Sequence, residues 1–236
     1  MHKKFQLPTI IAVIFSLSSA CSMAAESVDL AVSGTIAPAS CTPLLASNGE
    51  INYGQIKGDA LDQNNYNLLE SRQLAFTLTC SAPAAVALRA ISARIGSTVT
   101  EGSEGSRGFA PAPIALFGQA AGTIPAAGLG YYDTNKKIGG LAARLISADT
   151  QADSKQVSQL VSNNNGASWT AATAGAPLLL NDGLTSWGTA GSQTPVPFTQ
   201  LTGNMEVQPY LDKASNLSLT RAIELDGLVT FEVVYL

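Results

Sequence analysis

Histidine is almost missing from this chain of 236 residues: the one histidine is His2. It falls in an N-terminal segment that is expected to be removed. Residues 1–24 open on His2, Lys3 and Lys4 and continue with an apolar run over residues 7–17. They end on Ser22-Met23-Ala24, the small–x–small pattern of a signal-peptidase site. The run is too short to cross a bilayer as a stable helix. No other long apolar run follows, so the mature chain is expected to be exported to the periplasm or beyond, soluble and without a membrane span. Lacking histidine, residues 25–236 cannot supply a Ser-His-Asp or Cys-His nucleophile, nor a zinc site built on imidazole. Charge is scarce too, at 13% of residues. Taking Lys3 and Lys4 from the 13 basic residues leaves 11 against 17 acidic ones, a net charge of −6. A mildly acidic balance argues against nucleic acid or an anionic membrane surface as partner. The expected organisation is a signal peptide over residues 1–24 and a single domain over residues 25–236, a length that also fits two small β domains.

Cysteine is sparse as well. Of the 3 cysteines, Cys21 belongs to the leader. It raises a lipid-attachment alternative, but Ser18 stands where such a site places leucine. Cys41 and Cys80 remain, and two cysteines in an exported chain predict one disulfide. A redox or metal role would need a CxxC spacing or a companion histidine. Nucleotide motifs are missing: no GxxxxGK[ST] occurs, and Gly128-Leu129-Gly130 lacks a third glycine. A carboxylate pair for glycoside hydrolysis is a spatial feature, so Glu101, Glu104, Asp133, Asp149, Asp153 and Asp182 are candidates, each read as a solvated loop or turn residue. No calcium-loop spacing is visible. No catalytic residue, cofactor or metal is expected. Trp169, Trp187, Tyr131 and Tyr132 lie in loop-rich stretches, where they either plug the edges of a sandwich or stack on a sugar. Asn216-Leu217-Ser218 matches a glycosylation sequon and is read as chance.

What the chain does have is alternation. In its last residues Val229, Phe231, Val233 and Tyr235 fall on one face and Thr230 and Glu232 on the other, a period of two that predicts a half-buried strand. The same pattern predicts a first strand over residues 28–36 and a short second one over residues 51–56. It recurs over residues 72–80, where Leu74, Phe76 and Leu78 are in phase with Cys80. Residues 86–95 alternate but also suit a helix; the flanking Pro83 and Gly96 favour strand. Further strands are expected over residues 138–148, 157–161, 178–180, 204–211 and 217–219. Asn163-Asn164-Asn165-Gly166 before Ser168-Trp169-Thr170 predicts a hairpin. Many short strands between turn signals predict an all-β sandwich, with the Gly/Ala-rich residues 100–200 as loop insertions into one domain.

With these residues placed, the chain resembles a pilin of the chaperone–usher pathway. Gly34 precedes Cys41 by seven residues, Phe76-Thr77-Leu78-Thr79-Cys80 ends an alternating strand, and Tyr235 is penultimate in an alternating C-terminal strand. Met205-Glu206-Val207-Gln208-Pro209-Tyr210 matches the strand before it. The mature chain is more closely similar to exported fimbrial-like proteins of Gram-negative bacteria that carry only an unknown-function label. The resemblance implies an immunoglobulin-like sandwich short of one strand, with Cys41 and Cys80 joining the first two strands. It implies a docking edge formed by Val229, Phe231, Val233 and Tyr235, which receives a strand first from a periplasmic pilus chaperone and later from another pilin subunit. An outer-membrane usher and a host or surface receptor are the remaining implied partners, and cell adhesion as a minor or tip subunit is the implied role. Few residues precede a first strand at Val28, so the chain is expected to receive a strand more readily than it donates one. A self-complete periplasmic binding protein of the same fold stays open as the alternative.

Overall fold

A computed structural model describes residues 28–35 and 39–236. The leader expected over residues 1–24 lies outside them. The chain divides into two units, Met1–Ala37 and Pro38–Leu236. In the first unit residues 28–35 form no strand, and Val28, Leu30 and Val32 are 95%, 91% and 92% exposed. The first strand expected over residues 28–36 is therefore corrected: these residues alternate without a ladder or a covered face, which is what a strand needs to be stable. Ile36 itself lies outside the described residues.

The second unit is an all-β sandwich built on ten main strands. These are β1 (Cys41–Leu45), β2 (Arg72–Ala84), β3 (Val86–Ser92), β4 (Phe109–Pro111), β5 (Pro125–Gly128), β6 (Gly139–Leu145), β7 (Ser158–Ser162), β8 (Leu184–Gly188), β9 (Phe198–Leu211) and β10 (Val229–Tyr235). One sheet runs in the order β1-β2-β9-β6-β5-β4, the other in the order β7-β8-β3-β10, with Thr170–Ala171 on the outer side of β7. The ladders are antiparallel. Only Ala85 separates β2 from β3, so the chain leaves one sheet and enters the other at a single corner.

Alternation explains the long strands. Along β2, Phe76, Leu78 and Cys80 point into the core and are at most 6% exposed. They meet Leu201 and Met205 of the central strand β9, and Val86, Leu88 and Trp187 of the opposite sheet. Trp187 stands edge-on to Phe198 with ring centroids 6.2 Å apart. Each large apolar side chain sealed here contributes roughly 1.5–3 kcal/mol relative to exposure. The turn Asn163-Asn164-Asn165-Gly166 has positive φ at Asn165 and Gly166 and returns the chain to pair Leu160 with Ala171, the expected hairpin.

Four expectations fail for reasons visible in the structure. Residues 51–56 form no strand, because Gly54 breaks the extended run at φ +63°. Residues 178–180 form none either: Leu178 and Leu179 are buried as plugs, and the strand begins beyond the turn, at Leu184. Residues 217–219 follow the short turn Ala214–Asn216 and anchor only Leu217. The region expected as insertions, residues 100–200, supplies β4 through β8. Its glycines permit close packing: a Cβ on Gly128 would collide with Ser97, and one on Gly139 with the carbonyl of Tyr210. The outer strand β4 closes on Pro111, which offers a neighbour no N–H.

Candidate strand-binding groove

β10 is the edge of its sheet, laddered to β3 from Val229↔Ser92 to Tyr235↔Val86. β1 is the edge of the facing sheet. Between these two edges lies an apolar groove of about 1170 Å³. Its floor includes Leu74, Leu141, Met205 and Val207 from the first sheet and Val229 and Phe231 from β10. Of the four edge residues read from the sequence, Val229, Phe231 and Val233 pack their side chains against the main core. Tyr235 is 50% exposed and does something else: its hydroxyl oxygen accepts the Cys41 backbone N–H at 2.6 Å. That bond joins β10 to β1 where the Cys41–Cys80 disulfide joins β1 to β2. The lining of the groove takes in Leu45 of β1 and Val229 and Phe231 of β10 and does not extend to Tyr235.

The chemistry of the groove is backbone and hydrocarbon. Along an edge strand every second N–H and C=O points away from its one neighbour. Charges sit on the rims or the outer face. Arg89 and Glu232 approach to 3.5 Å across β3 and β10, both partly exposed. Arg94 clamps Asp226 just before β10 with contacts of 2.6 and 2.8 Å, and this hydrogen bonding holds the Asp226 carboxyl below its ordinary range. On the opposite rim the Arg72 guanidinium lies 4.5 Å over the Tyr53 ring. Burial pushes the Tyr53 hydroxyl up, with Arg72 pulling the other way. An apolar floor between unpaired backbone rows accommodates an extended polypeptide with an apolar residue at every second position.

The acidic candidates do not converge; each is held by its own neighbourhood. Glu104 accepts the Gly96 and Thr98 N–H groups. Asp153 caps Thr199 and Gln200, and those hydrogen bonds lower its pKa. Asp149 holds Asn204 at 3.0 Å, Asp182 holds Ser106 at 3.2 Å, Asp133 pairs with Arg221 at 3.4 Å, and Glu101 faces the Tyr66 hydroxyl at 3.4 Å. Trp169 and Trp187 are 8% and 1% exposed, which removes both from sugar stacking. Tyr131 is exposed, and the Tyr132 hydroxyl donates to the Asn216 carbonyl. Among the described residues no group of three or more His, Cys, Asp or Glu side chains could hold a metal. Among them, too, no helix is long and apolar enough to cross a membrane.

Residues 30–142 match the family described as "Protein of unknown function (DUF1120)". That stretch begins in the exposed segment of the first unit and takes in the disulfide, β1 and β2, but stops short of β9 and β10. Two proteins of Escherichia coli (strain K12) are similar along nearly their whole length. The "Uncharacterized protein YhcF" is 26% identical over 231 residues, covering 90% of this chain and 92% of YhcF. "Protein GltF" is 26% identical over 254 residues, covering 99% of each. No solved structure matches the chain.

Sequence reading located the β10 wall of the groove and missed both rims. Residues 51–56 run along one rim and residues 222–228 along the other. Ile223 and Leu225 alternate with exposed Ala222 and Glu224. That short alternation, leading directly into β10, was the available signal.

Proposed function

We propose that this protein is a fimbrial subunit-like protein, a minor or tip subunit serving cell adhesion, whose sandwich is completed by a strand from another chain. The partners in this reading are a periplasmic pilus chaperone, an outer-membrane usher and other pilin subunits, with a host or surface receptor at the end of the assembly. It has no catalytic role. The observation that carries the reading is the apolar groove left open between the two edge strands β1 and β10, one from each sheet. A β-strand seated there would satisfy the β10 edge and cover the floor in one step.

In this reading the exposed residues 28–35 are available as a donor segment. Val28, Leu30 and Val32 alternate with Asp29, Ala31 and Ser33, and all three are more than nine-tenths exposed. Eight extended residues reach about 26 Å, at roughly 3.3 Å per residue. The chain is equipped to give a strand as well as to take one.

The test is periplasmic expression with and without a pilus chaperone. The expected result is a stable chaperone complex, and aggregation or loss without it. Deleting residues 231–236 abolishes the complex. A monodisperse monomer obtained without any chaperone, and unchanged by a bound partner, would replace this reading with a self-complete periplasmic binding protein of the same fold.

A further inference from the structure

The far face of the first sheet carries a charged side chain that the groove does not use. Leu141 and Ala143 of β6 line the groove. Arg144 stands on the other face, because successive strand residues point to opposite sides of a sheet. Its guanidinium is fixed from two directions. Nε donates to Glu206 Oε2 at 2.8 Å, across the β6–β9 ladder where the two residues are directly opposed. One flat face lies 4.4 Å from the Phe117 ring. Both side chains of the ion pair are mostly buried, at 23% and 12% exposed.

Two features go beyond a cross-strand ion pair. A guanidinium carries five N–H donors, yet among the described residues Glu206 Oε2 is the only hydrogen-bond acceptor that Arg144 meets. Its remaining donors face a cavity of about 260 Å³, lined by Arg144, Ser147, Ala148, Ala174 and Gly175 among others. A Cβ on Gly175 would lie 2.8 Å from Arg144 Nη1, so the Nη edge reaches the cavity beside a residue that has to stay small. The second feature is Phe117 itself. It sits at φ +52°, in the left-handed region that strains a bulky residue, and Gln208 Oε1 holds it there by accepting its N–H. Strain of this kind collects at ligand-binding positions, and here it falls on the residue stacked on Arg144.

We infer that Arg144 anchors a binding site for a small carboxylate, independent of the groove and of how the groove is read. The planar fork of the guanidinium matches a carboxylate with two parallel hydrogen bonds. The Ser147 hydroxyl on the cavity wall offers a further polar contact. Glu206 already balances the arginine, so the site suits one delocalised negative charge better than a phosphate dianion. Ala148 and Ala174 leave apolar wall for the ligand's carbon atoms. The volume is below the roughly 300–1,000 Å³ of drug-sized pockets. The ligand is therefore a free small acid or the carboxylate-bearing residue of an acidic sugar.

The test titrates propionate, glucuronate and inorganic phosphate into the chain as it is purified from the periplasm, with any strand partner it carries. Isotope-edited NMR follows the arginine side chains and the backbone amides. A carboxylate should bind with a Kd on the order of millimolar, shifting the Arg144 Nη signals and the Ser147 and Gly175 amides and leaving residues 229–235 still. Arg144→Lys keeps the charge but loses the fork, and should weaken binding about tenfold or more. Ala148→Trp, at an exposed position, fills the cavity without touching the ion pair and should abolish it. Tighter binding of glucuronate assigns the site to an acidic sugar, and tighter binding of propionate to a free acid. Phosphate binding as tightly as either carboxylate, binding unchanged in both variants, or no shift at Arg144 overturns the inference.

Discussion

A peptide of residues 28–35 is expected to raise the melting temperature of the Leu30→Asp full chain, in which donor and acceptor are separated. Val28, Leu30 and Val32 are 91–95% exposed, and moving each into an apolar site stabilises by roughly 1.5–3 kcal/mol. Ladder hydrogen bonds to β10 add about 0.5–1.5 kcal/mol each. Association opposes these gains with about 4–15 kcal/mol of lost freedom, so a micromolar Kd, about 8 kcal/mol net, is reached only when that cost lies near its lower end. At a hundredfold excess over Kd the linkage stabilisation is about 2.7 kcal/mol, or a rise of about 5–10 °C for a domain of this size. Differential scanning calorimetry reads it directly. The same peptide with aspartate at position 30 loses its central anchor and would place a carboxylate on the apolar floor formed by Leu74, Met205 and Phe231. Its shift should vanish at equal concentration. Equal shifts from both peptides, or none from either, would mean that residues 28–35 do not dock through Leu30.

Three further outcomes follow from the same structure. Replacing Cys41 and Cys80 by alanine releases a loop of 39 residues and should cost about 4 kcal/mol in urea unfolding, by the chain-entropy account. Tyr210→Phe removes a buried hydroxyl that donates to the Val99 carbonyl and should cost about 1–3 kcal/mol. Burial raises the Tyr210 pKa above its ordinary value of 10.0, so its protonated form supports the fold. That support is complete below pH 10 and is lost as pH rises further, and Tyr210→Phe should flatten this alkaline fall. At the acid end the sign reverses. The Asp226 carboxyl is held low by Arg94, so its contribution is present above the ordinary value of 3.8 and lost as pH falls through the depressed one. Asp226→Asn should flatten the acid limb of a stability–pH curve, lowering stability slightly near pH 7, where the ionised carboxylate contributes, and leaving it unchanged at the acid end.

The strands most legible in the sequence were those whose two faces differ. β2, β9 and β10 each show large apolar residues at alternate positions, because one face meets the core more fully than the other; β6 and β7, buried on both faces, were legible only from the glycines and polar turn beside them. β8 was missed because all five of its residues are buried, which erases the alternation. β5 was missed because Pro, Ala and Gly fill it, and β4 because it is three residues long with Phe109 as its one large side chain; such stretches carry no alternation. The misplaced strands teach a second point. Residues 28–35 and 51–56 alternate as well as β10 does, but alternation records a side chain's need for a covered face and says nothing of whether this chain supplies the cover. Leu178 and Leu179 meet that need as plugs, without a ladder. In the candidate site, Val229, Phe231 and Val233 were legible from period alone. The Tyr235–Cys41 bond, which ties β10 to β1, joins residues 194 positions apart, and no local pattern announces it.

The account rests most heavily on where residues 28–35 of one molecule lie on another. Isotope-edited NMR on the Leu30→Asp chain, mixed with a labelled peptide of residues 28–35, measures this directly. The account predicts intermolecular contacts from the peptide's Val28, Leu30 and Val32 methyls to Val229 and Phe231 of β10 and to Met205 on the groove floor. Contacts mapped to any other face of the sandwich, or no contacts at saturating peptide, would contradict it.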